Sequence, residues 1–460
     1  MIKIKAIEFI NDKIFGNQKF DFTINGKTAS TIVLAGKNGV GKTKLLEYIY
    51  NLSNLTIFYS KLHGETNSII KLEFINEGIH SDEKEVIDTA VIYRKIFEGK
   101  YQFEIEYYCG EKKAKQAYKT IDGNEVILMF QLKSIFSPVD ITYEPTREVK
   151  TVSDKKLDLN DTSIPKDLAS EIIQLLVDIK TQDNNDLAEY NDEYPDKIIP
   201  ESKKNIRINR FNKAFYHIFN KKLKFKGLEN NIKPVFLKGD NRIYINDLSS
   251  GEKQIVFRGS YLLRNIDALK GIPVLIDEPE LSMHPSWNKN IYDFYRRLFK
   301  TDKGEITSQM FIATHSEYVI ESALDDNNCL IIKMDEKRNK KYNKNIKSSI
   351  MGLTSFAEIR NSIFDVKTTD YHIQLYSYIQ NYFVGDDAFI SEVDSFLIEK
   401  GSPEKKYSFI NRNNRIQEYN SLCTYIRNCI DHPDNNHNYS KAEFEQSIIF
   451  MEKMIKENSI

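Results

Sequence analysis

The order of apolar and polar positions divides the chain before any chemistry is considered. Ile2, Ile4 and Ala6 alternate with polar residues, and after a turn at Gly16 the alternation resumes at Phe20, Phe22 and Ile24, the period of half-buried β-strands. Thr31 to Ala35 reads as a fully buried strand, followed by a glycine-rich loop and by helical spacing from Lys44 to Leu52 through Leu45, Leu46 and Ile49. From about 68 to 145, aromatic and β-branched runs alternate with turns such as Asp122-Gly123-Asn124, which predicts an antiparallel lobe. Near 151 the period changes. Leu168, Ile172, Leu175, Leu176 and Ile179 form one stripe of an amphipathic helix, so 151–230 is expected to be a helical insertion. An α/β pattern returns over 231–350, and 351–460 reads as mainly helical, without repeats or sustained heptads. The expected parts are therefore 1–150, 151–230, 231–350 and 351–460 of an α/β chain.

Composition narrows the setting. With 460 residues the chain can bury a substantial core, and four cysteines, Cys109, Cys329, Cys423 and Cys429, fit neither a disulfide scaffold nor a common zinc motif. A reducing, cytoplasmic location is expected, since no apolar run reaches the ~18 residues of a membrane span and Met1 to Ile10 lacks the core of a secretory signal. Basic and acidic residues balance at 65 and 66, so any nucleic-acid contact must be local. One candidate is 202–226, with nine Lys or Arg and no acid, next to 178–196, with seven acids and one Lys. Lys203, Lys204, Arg207 and Arg210 could pair with phosphates while Phe211, Phe215, Tyr216, Phe219 and Phe225 stack on bases; equally, the aromatics could be core and the cations solvated. A second basic segment, Lys333 to Lys347, reads as a linker or exposed hairpin.

Gly36-Lys37-Asn38-Gly39-Val40-Gly41-Lys42-Thr43 fits the phosphate-binding loop pattern, between a buried strand and a helix. Backbone amides around Gly36, Asn38, Gly39 and Gly41 would cradle the phosphates of ATP, Lys42 would reach the β- and γ-phosphates, and Thr43 would ligate Mg²⁺. Pro273-Val274-Leu275-Ile276-Asp277-Glu278 is a strand too short for a helix, ending in two carboxylates. Asp277 would hold the Mg²⁺ shell, Glu278 would orient and deprotonate the attacking water, and Pro279 breaks the strand. Ser249-Ser250-Gly251 precedes a helix with apolar Ile255, Val256, Leu262 and Leu263, which by itself reads as an N-cap. Phe311 to Thr314 is a further buried strand that ends at His315.

Together these motifs resemble ABC-type ATPases. Leu248-Ser249-Ser250-Gly251-Glu252-Lys253-Gln254, with Ser249 28 residues before Asp277, resembles the signature motif, and His315 resembles the switch histidine that senses the γ-phosphate. The resemblance implies a head-to-tail homodimer, at minimum, with Ser249 and Gly251 as ligands in trans. Asp277-Glu278-Pro279-Glu280-Leu281-Ser282-Met283-His284-Pro285 is similar to SMC-like ATPases of prokaryotic antiphage defence and repair, although His284 stands where many ABC proteins carry the D-loop aspartate. No choice of Q-loop glutamine emerges among Gln102, Gln116 and Gln131. Phe356-Ala357-Glu358-Ile359, Tyr371-His372 and Tyr425-Ile426-Arg427-Asn428 through His432-Pro433-Asp434-Asn435 resemble the tail of Septu-type ATPases, which implies a separate HNH nuclease as partner. The same tail also fits the R-N-x-x-x-H pattern of HEPN ribonucleases, with Arg427 and His432 on one helix whose apolar face would run through Ile416, Tyr419, Cys423, Ile426 and Ile430. The expected fold is an ABC/SMC-type P-loop ATPase head with an antiparallel β lobe, a short helical insertion and a mainly helical C-terminal domain. Its expected task is to control a partner nuclease by ATP state; a self-contained HEPN-like ribonuclease and a DNA-repair ATPase are the alternatives.

Overall fold

A computed structural model describes residues 2–54, 67–76, 88–97, 100–120, 134–139, 168–201, 204–219, 222–264, 271–300, 306–337, 340–346, 355–410, 416–433 and 437–458. Contacts divide the chain into two units, Met1–Asn345 and Ile346–Ile460. The first is organised by a six-stranded sheet in the order β10 (Ile135–Ser137), β14 (Val274–Asp277), β15 (Met310–Thr314), β5 (Thr31–Ala35), β16 (Cys329–Lys337) and β17 (Lys340–Ile346). Strands β5, β14 and β15 are buried at every position, as their near-continuous apolar sequences require of parallel strands covered on both faces. Their parallel registers pair Asp277 with Ala313 and Thr314 with Ala35, so three strands end level at one edge. Helices α1 (Lys42–Asn54), α4 (Ser250–Arg264), α5 (Pro285–Leu298) and α6 (Glu317–Leu324) alternate with these strands. The basic segment from Lys333 falls on the neighbouring strands β16 and β17 rather than in a linker, and its start is not exposed: Lys333, Met334 and Asp335 are buried where β16 runs beside β5.

A second, antiparallel sheet runs β2 (Gly16–Asp21), β1 (Ile2–Asp12), β6 (Ser68–Asn76), β7 (Thr89–Phe97), β8 (Lys100–Cys109) and β9 (Lys112–Thr120), with a small hairpin of β3 (Thr23–Ile24) and β4 (Lys27–Thr28) beside it. Strand β1 departs from simple alternation. A bulge between Ile4 and Ala6 shifts the buried set from Ile2 and Ile4 to Ile7 and Phe9. The two sheets share one core, to which Ile4, Phe9, Leu34, Leu275 and Phe311 all belong. Buried Gln309 ties them together: its amide donates to the carbonyls of Ile4 (2.9 Å) and Ala29 (3.0 Å), and its oxygen accepts from the Ile4 amide (2.7 Å). Among the described residues the expected lobe extends to β9; Asp122-Gly123-Asn124 lies outside the described residues, and β10 belongs to the parallel sheet.

The insertion is helical in α2 (Leu168–Glu193) and α3 (Ile206–Phe215), with Ile172, Leu175 and Leu176 buried as the stripe predicts. Its last residues depart from the expectation, forming β11 (Leu223–Glu229) in a three-stranded sheet with β12 (Lys233–Lys238) and β13 (Asn241–Tyr244). The alternation Leu223, Phe225 buried and Lys224, Lys226 exposed is a strand period that the high charge obscured. The acidic and basic halves meet, since buried Asp183 accepts the Ile208 amide (3.1 Å) at the start of α3.

The second unit packs α7 (Phe356–Phe364), α8 (Thr369–Ile379), α9 (Ile390–Glu399), α10 (Leu422–Asp431) and α11 (Lys441–Asn458) around Tyr371, Leu375, Val393, Cys423, Ile448 and Met451. The helix expected to begin at Ile416 starts six residues later. Residues before it form a hairpin of β18 (Glu404–Ile410) and β19 (Ile416–Ser421), and Ser421 then caps α10 by accepting the Thr424 amide (3.1 Å).

Candidate functional site

The loop after β5 turns on glycines. Gly36 has φ 152°, and a Cβ there would lie 2.1 Å from the Met334 carbonyl oxygen on β16, so only glycine lets the chain leave between these strands. Gly39 (φ 84°) and Gly41 (φ 103°) continue the curl with Asn38 and Gly39 exposed, and the Leu45 amide closes the first turn of α1 onto the Gly41 carbonyl (2.9 Å). The free amides and positive end of α1 thereby face the loop. Buried Lys42 folds back over it, donating from Nζ to the carbonyls of Gly36 (2.9 Å) and Lys37 (3.0 Å). Burial lowers the Lys42 pKa, against the pull of Glu278, Asp277 and Glu280.

Those carboxylates come from β14. The Thr43 hydroxyl donates to Asp277, with Oγ1 2.9 Å from Oδ2 and 3.1 Å from Oδ1. Desolvation pushes the Asp277 pKa up to about 6, although the Thr43 hydrogen bond and the Arg258 and Lys42 charges oppose this. The Asp277 carboxylate beside the Thr43 hydroxyl is a hard oxygen pair suited to a divalent cation, and the glycine loop at a helix start suits phosphate. Residues 36–43 and Asp277 therefore fit a magnesium nucleotide.

Glu278 takes a left-handed backbone, φ 43°, which is rare for a non-glycine residue and marks functional turns. Its amide stays on the sheet through the Ala313 carbonyl (2.8 Å), while Pro279 ends the strand. His315, at the end of β15, brings Nδ1 to 3.3 Å from Glu278 Oε1, and both side chains remain open to solvent at 41 % and 21 % exposure. The phosphate loop, Asp277, Glu278 and His315 thus gather at the level edge of β5, β14 and β15, where ligands of parallel sheets bind.

Arg258, on α4, was not foreseen. It is wholly buried, donating from Nε to Ser137 Oγ (2.9 Å), from Nη2 to the carbonyls of Ser137 (2.8 Å) and Asp277, and from Nη1 to the Glu278 carbonyl (3.0 Å). The guanidinium fastens α4 to the carboxylate turn. Its signal in the sequence is a cation at i+3 from Ile255 and i−4 from Leu262, inside an otherwise apolar stripe. Glu280 was also unassigned; it is buried against Thr314 and His315.

Ser249 and Gly251 lie at the start of α4. Ser249 and Glu252 form a reciprocal cap: the Ser249 amide and hydroxyl donate to Glu252 Oε2 (2.9 Å each), and the Glu252 amide donates to Ser249 Oγ (3.4 Å). A Cβ on Gly251 would come within 2.9 Å of the Ser282 carbonyl and 3.2 Å of Trp287, so the helix start rests on the turn after Glu278. His284 caps α5, its Nδ1 accepting from the Ser286 amide (3.2 Å). Gln131 lies outside the described residues, and Gln102 and Gln116 fall on β8 and β9.

The base-stacking expectation for 202–226 does not hold for most of its aromatics. Phe211, Phe215, Phe219 and Phe225 are buried; Phe215 packs on Phe294 (5.6 Å between ring centres) and Phe219 on Trp287 (5.8 Å), so these rings dock the insertion onto α5. Tyr216 is the exception at 37 % exposure. Lys203 lies outside the described residues, Lys204 pairs with Glu201 (2.6 Å), and Arg207 and Arg210 sit on α3. In the second unit, Arg427 pairs with Asp431 (2.8 Å) and donates to Asn428 Oδ1 (2.8 Å) within its own helix. His432 is exposed and ends α10, its amide donating to the Asn428 carbonyl (2.8 Å). Among the described residues no helix is long and apolar enough to cross a membrane, and all four cysteines are free.

The fold and this site define a P-loop nucleotide-binding head. More particularly, a family profile described as "AAA domain, putative AbiEii toxin, Type IV TA system" matches residues 32–321, and the chain belongs to that family. Similar solved structures include an SMC head bound to the C-terminal winged-helix domain of ScpA (15 % identity, TM-score 0.41, covering 75 % of this chain and 97 % of that one). The SMC head domain from Thermotoga maritima gives 12 % identity and a TM-score of 0.39 over 75 % of this chain and 99 % of that one. A Pyrococcus furiosus Smc head with an extended coiled coil, bound to the C-terminal domain of ScpA, gives 16 % and 0.43 over 75 % and 96 %. No curated protein matches the chain.

Proposed function

We propose that this protein binds and hydrolyses ATP in head-to-tail dimers and uses its nucleotide state to control a partner nuclease of the HNH type in antiphage defence. The observation that carries the ATPase reading is the convergence of Lys42, Thr43, Asp277, Glu278 and His315 on one sheet edge. In this reading the loop amides and Lys42 hold the phosphates, and Glu278 takes the proton of the attacking water. His315 meets the γ-phosphate, with its ring held beside Glu278. Mg²⁺, held by Thr43 and Asp277, would neutralise charge on the phosphates. Ser249 and Gly251 would address the nucleotide of the opposite head, and larger assemblies than the dimer are compatible with this arrangement.

The ribonuclease alternative draws less support, because the Arg427 guanidinium is already engaged by Asp431 and Asn428. RNA cleavage by the purified chain, abolished by His432→Ala, would reinstate it in place of the controller. A DNA-repair role shares the same head chemistry. For the ATPase reading itself, Lys42→Ala is expected to lose nucleotide affinity. Glu278→Gln is expected to keep ATP bound while hydrolysis slows about 100-fold, or ~2.7 kcal/mol of barrier. A Glu278→Gln protein that fails to bind ATP in equilibrium dialysis would show that Glu278 serves binding rather than chemistry.

A further inference from the structure

Glu280 stands two residues past Glu278 and turns back beneath the end of β15. Only 6 % exposed, it accepts the Thr314 hydroxyl (2.6 Å) and the His315 amide (3.1 Å) on Oε1, which also lies 3.7 Å from His315 Nδ1. The Thr314 hydroxyl in turn accepts the Ser316 amide (2.9 Å), so residues 314–316 hang on a single carboxylate oxygen. Its other oxygen, Oε2, is buried without a hydrogen-bond partner, and the nearby hydroxyl of wholly buried Tyr295 also has none.

A buried carboxylate with one oxygen unmatched is a costly way to tie two turns together, because a neutral amide could accept the same two hydrogen bonds with less desolvation. The charge has a use in its placement. Glu278 and Glu280 present oxygens to the same ring nitrogen of His315, at 3.3 Å and 3.7 Å, while Glu280 also fixes the backbone from which that ring projects. We propose that Glu280 is a positioning residue for ATP hydrolysis that acts through His315, holding its ring against Glu278; this rests on the ATPase reading of the site.

The test is a double-mutant cycle on the full chain with Mg-ATP, in which turnover, KM and nucleotide affinity are measured for wild type, Glu280→Gln, His315→Ala and the double variant. Glu280→Gln is expected to lower kcat about 10-fold or more with KM and nucleotide affinity within about 2-fold of wild type, and to have no further effect once His315 is alanine. Losses that multiply in the double variant, or a change confined to KM or to melting temperature, would overturn the inference while leaving the ATPase reading intact. A wild type that binds but does not hydrolyse ATP would overturn both. Should Glu280→Gln fail to fold, Thr314→Val removes one link to the same carboxylate and must show the same dependence on His315; independent effects there would equally overturn it.

Discussion

Arg258 offers the most direct check on how α4 is joined to the carboxylate turn. Its side chain is wholly buried and supplies donors to Ser137 Oγ and to the carbonyls of Ser137, Asp277 and Glu278. Replacing it by alanine removes those donors and leaves acceptors of two strands and a turn without them. Hydrogen bonds from a charged group contribute about 1.5–3 kcal/mol each and are not additive within one side chain. A loss of about 4 kcal/mol follows, a large part of the roughly 5–15 kcal/mol that holds an ordinary domain. Lysine should recover little of it, since a single ammonium cannot span the carbonyls that the planar guanidinium reaches. The chain has one tryptophan, Trp287, and it lies on α5 of the first unit. Urea unfolding followed by its fluorescence therefore reports that unit alone, with an expected fall in midpoint of about 1 M or more for Arg258→Ala. A loss below about 1 kcal/mol would mean that water replaces the guanidinium, and that α4 is not fastened to the carboxylate turn as argued.

The remaining expectations concern separate parts of the chain. Gly36→Ala should destabilise the first unit by more than about 3 kcal/mol, because the new Cβ meets a backbone oxygen. Gly39→Ala, which meets nothing within 4 Å, should lose only the roughly 1–2 kcal/mol of its left-handed conformation, and thermal melts of the pair distinguish contact from strain. Burial lowers the His372 pKa to about 3, so between the ordinary value of 6.5 and about 3 the unfolded chain binds the proton first. Stability of the second unit is then complete above about pH 6.5 and falls by up to about 1.4 kcal/mol per unit as pH drops below it; amide protection on α8, corrected for the intrinsic exchange rate, that stays constant with pH there, or that has the same pH dependence in His372→Gln, would refute this. Neutralising Lys203, Lys204, Arg207 and Arg210 should flatten the salt dependence of nucleic-acid binding by up to about one log unit per phosphate contact, whereas Phe211→Ala should affect stability; an unchanged slope would leave these cations merely solvated.

The motifs that meet at the sheet edge were legible because they rest on local patterns. A glycine loop between a buried strand and a helix, and two carboxylates ending a short apolar run, each need only a few neighbouring residues to be recognised. The helical stripe from Ile172 to Leu176 was legible for the same reason. Where charge masked the period, as at Leu223 to Glu229, or where an i, i+3 apolar pair suggested a helix, as at Ile416 and Tyr419, the local pattern misled: hydrogen-bonded neighbours chose the strand, and Ile416 and Tyr419 fall on its opposite faces, one exposed and one buried. The partners of Arg258 and Glu280 could not be read along the chain at all, since Arg258 meets Ser137 across 121 positions and Glu280 meets His315 across 35. The sequence by itself determined the glycine loop and the pair of carboxylates that end a short strand. Only the tertiary structure decided that the Phe side chains of the basic segment are core and that one buried arginine joins α4 to the carboxylate turn, because burial and long-range hydrogen bonds exist only once the strands lie side by side.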